Sequence, residues 1–348
     1  MWKNLLIVLL FFGSVGFAQA QNNFAALQRR INSTSNGGTL ELHEDYVATS
    51  GEACLTIPNG KNITIDLNGH IVNRSLSAST ASGNVFIINS NATLTISDSN
   101  PTATHSPQVT YTHPVTHEEV TIKGGIIMGG WTNQNGGGIL NSSSGELILK
   151  GGTIAKNKSV GMGGGVYNPS GATLTMNGGE IAGNSADNNG GGVCNTGSNA
   201  RFTMTGGKIA GNATKCHGGG VCNNQEARFV MRDSEISGNE ANGKEGLHNV
   251  YGGGIYNVSY LEITRSKISN NKALNNQVHT KGGGIYHESN TILKITDSEI
   301  SDNAAYYSGG GMHFNALGSS PQLELQRNTI RENKVDVAGA GLYIANSS

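Results

Sequence analysis

Ile181-Ala-Gly-Asn-Ser-Ala-Asp-Asn-Asn-Gly-Gly-Gly-Val-Cys-Asn195 is the stretch that decides the fold, because the chain repeats it in step. Glycine triplets begin at 136, 163, 190, 218, 252, 282 and 309, with Gly339-Ala-Gly341 as a variant. Their spacings are 27, 27, 28, 34, 30, 27 and 30 residues. An apolar residue follows each one: Ile139, Val166, Val193, Val221, Ile255, Ile285, Met312 and Leu342. The Ile-x-x-Asn half recurs from Ile154/Asn157 to Ile330/Asn333. A fixed period of this length marks one supersecondary unit stacked many times.

Upstream of each isoleucine the pattern alternates, as in a strand. Leu147, Leu174, Phe202, Phe229, Leu261, Leu293 and Leu323 stand seven residues before it, with polar residues between the apolar ones. Short strands joined by glycine or asparagine corners predict an all-β, right-handed parallel β-helix, one coil per repeat. The asparagines should then stack as a ladder. Charge columns support in-register stacking: Glu180, Lys208, Glu235, Lys267 and Glu299 alternate in sign, as do Asp233, Arg265, Asp297 and Arg327. Like charges at coil spacing would repel, so alternation resists register slip.

The repeat weakens before residue 120. Phe24, Leu27 and Ile31 have helical spacing and predict a short helix capping the open end of the core, which would otherwise be an exposed sheet edge. Residues 21–119 thus read as a cap and degenerate coils with a loop insert at 97–121, and residues 120–348 as the regular repeats. Residues 1–20 read as a signal peptide: Lys3, an apolar run Leu5–Phe12, and Ala18-Gln19-Ala20 before the cut. The mature chain is expected outside the cytoplasm, in the periplasm, at the cell surface or beyond it. No segment reads as transmembrane.

Composition narrows the partners. Of 348 residues, 51 are glycine, about twice average usage, and the corners account for the excess. With 23 basic and 24 acidic side chains the net charge is −1, which gives no electrostatic case for nucleic acid.

Ile181-Ala-Gly-Asn184 followed by Gly190-Gly-Gly-Val-Cys-Asn195, and Ile236-Ser-Gly-Asn239 followed by Gly252-Gly-Gly-Ile-Tyr-Asn257, resemble the repeats of polymorphic outer membrane proteins and adhesin-like bacterial surface proteins. Ile63-Thr-Ile-Asp-Leu-Asn-Gly-His70 resembles the first coils of pectate-lyase-like proteins. The resemblance implies the same β-helix and a surface binding role. The hydrolase motifs of that fold (Asn-Thr-Asp, Asp-Asp, Gly-His-Gly, Arg-Ile-Lys) do not occur, and the alternating columns offer no multi-carboxylate calcium site. Asp66 and His70 are the nearest approach to a catalytic pair, against a corner-stabilising role. His105, His113 and His117 have ligand-like spacing, but Pro114 and the β-rich context favour solvated loop histidines. No metal or cofactor is expected.

Cys194 and Cys222 share a repeat position one coil apart, which puts their Cα atoms within bridging range and makes them a candidate disulfide. Cys216 competes, Cys54 is remote, and His217 adjoins Cys216. Two features point to binding. The spacer between asparagine and glycine triplet, five residues in most coils, lengthens at 240–251 and 272–281, and these two spacers carry His248 and His279. The column after the triplet reads Leu140, Tyr167, Cys194, Cys222, Tyr256, Tyr286, His313 and Tyr343. Facing outward, Tyr256, Tyr286 and His313 would form an aromatic strip suited to a glycan or a host or surface protein; alternatively, they merely pack a shallow groove. The sequence thus predicts a non-catalytic adhesin-like binding protein, with a polysaccharide-degrading enzyme and a structural spacer as alternatives.

Overall fold

In the computed structural model, residues 22–243, 249–274, 279–289, 291–317 and 322–347 are described; the expected leader, 1–20, lies outside them. The chain is a parallel β-solenoid of about 9 turns. From residue 126 on, each coil contributes one strand to each of four long parallel sheets; the earlier coils contribute to three of them. Face 1 has 10 strands, from Thr39–Glu41 to Gln322–Gln326, and face 2 has 10, from Tyr46–Val47 to Thr329–Arg331. Face 3 is an 8-stranded run of two-residue strands, from Trp131–Thr132 to Lys334–Val335. Face 4 has 10 strands, from Leu55–Ile57 to Leu342–Ser347.

The register is the one the repeat demands. Leu147 pairs with Leu174, Phe202 with Phe229, and Ile181 with Ile209. The inward columns form one continuous core, and Phe202 stacks on Phe229 with ring centroids 4.5 Å apart. The single described helix, α1 (Phe24–Ser33), buries Phe24, Leu27 and Ile31 against the first coil; the Asn23 side chain accepts the Ala26 N–H at its start.

Two asparagine ladders run through the coil corners. In the first, Oδ1 of each of Asn184, Asn212, Asn239, Asn271, Asn303 and Asn333 accepts both the backbone N–H and the Nδ2 of the asparagine one coil earlier, at 2.9–3.1 Å. Because Nδ2 also donates to an isoleucine carbonyl, as from Asn212 to Ile181, each rung satisfies polar groups that burial would otherwise penalise. The second ladder joins Asn141, Asn168, Asn195, Asn223 and Asn257 at 2.6–2.9 Å. It ends on His287, whose Nδ1 lies 2.7 Å from Asn257 Nδ2.

The insert expected as a loop contains an antiparallel hairpin, Val109–Thr112 with Glu119–Ile122. Both arms alternate, Val-Thr-Tyr-Thr and Glu-Val-Thr-Ile, and the hairpin lies across the outside of face 2. There Gly183, Gly211 and Gly238 occupy one column at positive φ. Later coils place Asn270, Asp302 and Glu332 in that conformation, so φ alone does not require glycine. Space does: a Cβ at Gly183 or Gly211 would come within 2.5–2.7 Å of Tyr111, and one at Gly238 within 2.3 Å of His113.

Candidate binding surface on the fourth face

The strands of face 4 bring the predicted column together in register: Tyr167 with Cys194, Cys194 with Cys222, Cys222 with Tyr256, Tyr256 with Tyr286, Tyr286 with His313, and His313 with Tyr343. The rings stack, with centroids 5.6 Å apart for Tyr256–Tyr286, 5.2 Å for Tyr286–His313 and 5.0 Å for His313–Tyr343. Two rings from the preceding corner join them, His217 against Tyr256 at 4.7 Å and Tyr251 against Tyr286 at 4.4 Å.

This column points away from the solenoid core, yet it is covered. Tyr286 is 2% exposed and His313 is 1% exposed, while Tyr256 is half-buried. The cover comes from the spacers that return toward each glycine triplet. In the two lengthened spacers, Val250–Tyr251 and Thr280–Lys281 pair as an extra two-stranded parallel layer, and Lys281 Nζ sits 5.6 Å from the Tyr251 ring centroid. Lengthening the corner therefore adds structure over the column instead of opening it. His279 is exposed on this layer and meets Tyr307 edge-on at 4.3 Å; Leu274, in the same spacer, is 38% exposed. His248 falls outside the described residues.

Burial sets the electrostatics of the column. The His313 ring falls to a pKa of about 3, chiefly through burial and secondarily through Lys281. Its Nδ1 lies 2.8 Å from Ser308 Oγ, and its Nε2 is buried with no hydrogen-bond partner. Burial likewise raises the Tyr256 and Tyr286 phenols, and Tyr286 donates its hydroxyl proton to Glu288, which also accepts from Asn315 at 2.8 Å. These groups are poised to stay neutral, not to exchange protons near neutrality.

Cys194 and Cys222 are fully buried free thiols, and Cys54 and Cys216 are free thiols that are only partly buried. In-register neighbours sit at about strand spacing, wider than the Cβ separation of about 3.8 Å that a disulfide favours. The Cys194 thiol donates to the Met162 sulfur at 3.7 Å. Hydrogen bonding to Cys194, reinforced by burial, raises the Cys222 thiol well above its ordinary range. His217 Nδ1 accepts the Tyr251 N–H and its ring is stacked, so it serves the aromatic layer.

The other sequence candidates have structural employment. Asp66 Oδ1 accepts the N–H groups of Asn68 and Ser99 at 3.1 and 2.9 Å, while His70 Nδ1 lies 3.2 Å from Asp45, so the two staple separate corners. His113 Nδ1 accepts from Val115 and Thr116, and His105 Nε2 lies 2.8 Å from the Gly124 carbonyl. The charge columns pair as alternation predicts: Arg265 with Asp233 at 2.7 Å, Arg327 with Asp297 at 2.5 Å, Lys208 with Glu235 at 3.3 Å and Lys267 with Glu299 at 3.9 Å. Between the two columns runs an open groove of about 630 Å³ floored by Ser234, Ser266 and Ser298.

Sequence reasoning missed His287. His287 stands where the ladder would have an asparagine, and its ring stacks on Phe314 at 5.2 Å; the signal was the change from Asn to His at a fixed repeat position. Compared with family models, with curated proteins and with solved structures, the chain matches none.

Proposed function

We propose that this chain is an exported, surface-associated β-helix protein that binds a glycan or a partner protein at its lengthened corner, without catalysing a reaction on it. The observation that carries this reading is the coincidence of both long spacers on one corner of adjacent coils, where they build an added layer beside which the exposed His279 meets the half-buried Tyr307 of the following coil. Insertions on one side of a solenoid commonly form its contact surface, because the rigid coils beneath need no further stabilisation. Aromatic groups that are held in place lose little entropy on binding, so they make good anchors. The buried column of Tyr256, Tyr286 and His313 acts in this reading as the rigid bed under the contact surface. The likeness of the repeat to those of polymorphic outer membrane and adhesin-like proteins agrees with it.

The test is a glycan array and a surface-protein binding panel with the full chain, paired with assays for new reducing or unsaturated sugar ends. A ligand should be retained by the wild type and weakened about tenfold or more, the threshold of a real anchor, by His279→Ala combined with Tyr307→Ala. Turnover of a polysaccharide would overturn the reading in favour of an enzyme. Absence of any retained ligand would overturn it in favour of a spacer.

A further inference from the structure

The outward column of face 4 changes character midway. Between Tyr167 and Tyr256 two cysteines, Cys194 and Cys222, take the place of aromatic rings and pair in register on adjacent coils. The residue just before each glycine triplet folds over this column one coil later, as His217 does over Tyr256 and Tyr251 over Tyr286. Of the residues in that position, from Asn135 to Ser308, only Met162 carries sulfur. It falls over the first cysteine, and the Cys194 thiol donates to Met162 Sδ at 3.7 Å. The Cys194 and Cys222 thiols are in hydrogen-bonding contact with each other. Both cysteines are 0% exposed, whereas Met162 above them is partly exposed.

Three soft atoms from three consecutive coils thus meet at one place, and ligands so far apart in the chain share no local motif. In-register neighbours on parallel strands stand about 4.8 Å apart. That is too wide for a disulfide, whose Cβ atoms favour about 3.8 Å, but it suits an ion set between two sulfur atoms. Two metal–thiolate bonds of about 2.3 Å each span about 4.6 Å when collinear. Among the described residues, no three or more His, Cys, Asp or Glu side chains converge as a metal set. This speaks against zinc, whose structural sites close with four ligands. Thiolate and thioether ligands select Cu(I) instead.

We infer that Cys194, Cys222 and Met162 form a site for a single Cu(I) ion, with the two thiolates opposed across it and the thioether alongside. Entry of the ion expels two thiol protons and forms two copper–sulfur bonds, and copper keeps its oxidation state. The product carries one negative charge, spread over two large sulfur atoms. Met162, at the partly exposed outer layer, gives the ion its way in. The assignment does not rest on the binding reading given for the lengthened corner.

Anaerobic titration of the reduced full chain with Cu(I), in competition with bicinchoninate, tests this directly. A single equivalent should be withheld from the chelator and should show a thiolate-to-copper charge-transfer band. X-ray absorption should find sulfur at about 2.3 Å from the metal. Cys194→Ala should weaken binding about a hundredfold, and Met162→Leu, at a partly exposed position that tolerates the change, about tenfold. Cu(I) should raise the melting temperature of the wild type, since it binds the folded chain. Cys54→Ser and Cys216→Ser, outside the ligand set, should keep the full equivalent. Undiminished binding in Met162→Leu or Cys194→Ala, loss of the equivalent in Cys216→Ser, Zn(II) held as tightly as Cu(I), or no equivalent withheld would each overturn the assignment. So would a thiol count showing Cys194 and Cys222 joined as a disulfide in the native chain.

Discussion

The aromatic column on face 4 and the charge columns flanking face 2 are built by one device. A residue type placed at a fixed position of the repeat becomes its own neighbour one coil later. Their fates differ because of what lies above them. The charge columns are open to water, and Asp233 and Arg265 are more than half exposed. The aromatic column is roofed by the returning spacers, and Tyr286 and His313 are as dry as core residues. The alternation inside a strand tells which side chains leave the core, but not whether a second layer follows. Tertiary cover decides whether an outward column is chemistry, packing or a solvated ladder.

Acid should separate the two regions most strongly. Burial depresses the His287 ring to about 4 and the His313 ring to about 3, while both titrate near 6.5 in an unfolded chain. The unfolded state therefore takes up protons first, so this stability is complete above about pH 6.5 and falls as the pH drops toward 4 and then 3. The loss is on the order of 3 kcal/mol from His287 and somewhat more from His313. The exposed ladder survives most of that window, because Arg265 and Arg327 hold Asp233 and Asp297 below the usual carboxylate range. Chemical denaturation at pH 7 and pH 4.5 should show a large drop for the wild type. His287→Asn, which restores an amide rung, should reduce it; an unchanged pH dependence in that variant would refute the assignment.

Truncation inside the roofed column comes next. Tyr286→Ala removes a ring stacked on Tyr251, Tyr256 and His313 and strips Glu288 of a donor. It should cost about 3–5 kcal/mol in urea denaturation, as for other buried aromatics. A cost below about 1 kcal/mol would mean that the spacers do not seal the column, and the surface would then revert to an open aromatic strip.

Much of this architecture was legible before any coordinates. The period, the Asn157-to-Asn333 ladder, the alternating charges and the cap residues Phe24, Leu27 and Ile31 all follow from identical positions recurring at coil length, which is local information. What was not legible depends on contacts between unlike segments. The hairpin at 109–122 belongs to no repeat, so its docking on Gly183, Gly211 and Gly238 could not be seen, although the glycines are visible as a run in one column. The cover over Tyr286 has the same cause: a spacer's length can be read, but not the direction in which it folds.

The smallest effect is expected in the open ladder, and it completes the comparison. Arg265 forms a bidentate contact with Asp233, through Nε at 2.8 Å and Nη2 at 2.7 Å, the geometry in which an arginine–carboxylate pair is strongest. Yet both partners are solvated, and ordering two exposed side chains offsets most of the attraction. Arg265→Ala should therefore shift the melting temperature far less than Tyr286→Ala, and added salt should erase even that difference. The informative variant is the charge reversal Arg265→Asp, which sets a third acid between Asp233 and Asp297 in consecutive coils. If stacking register rests partly on this column, the reversal should destabilise more than the alanine change at low salt and converge with it at high salt. Equal melting temperatures for the two variants at low salt would show that the inward columns and the asparagine ladders set the register unaided.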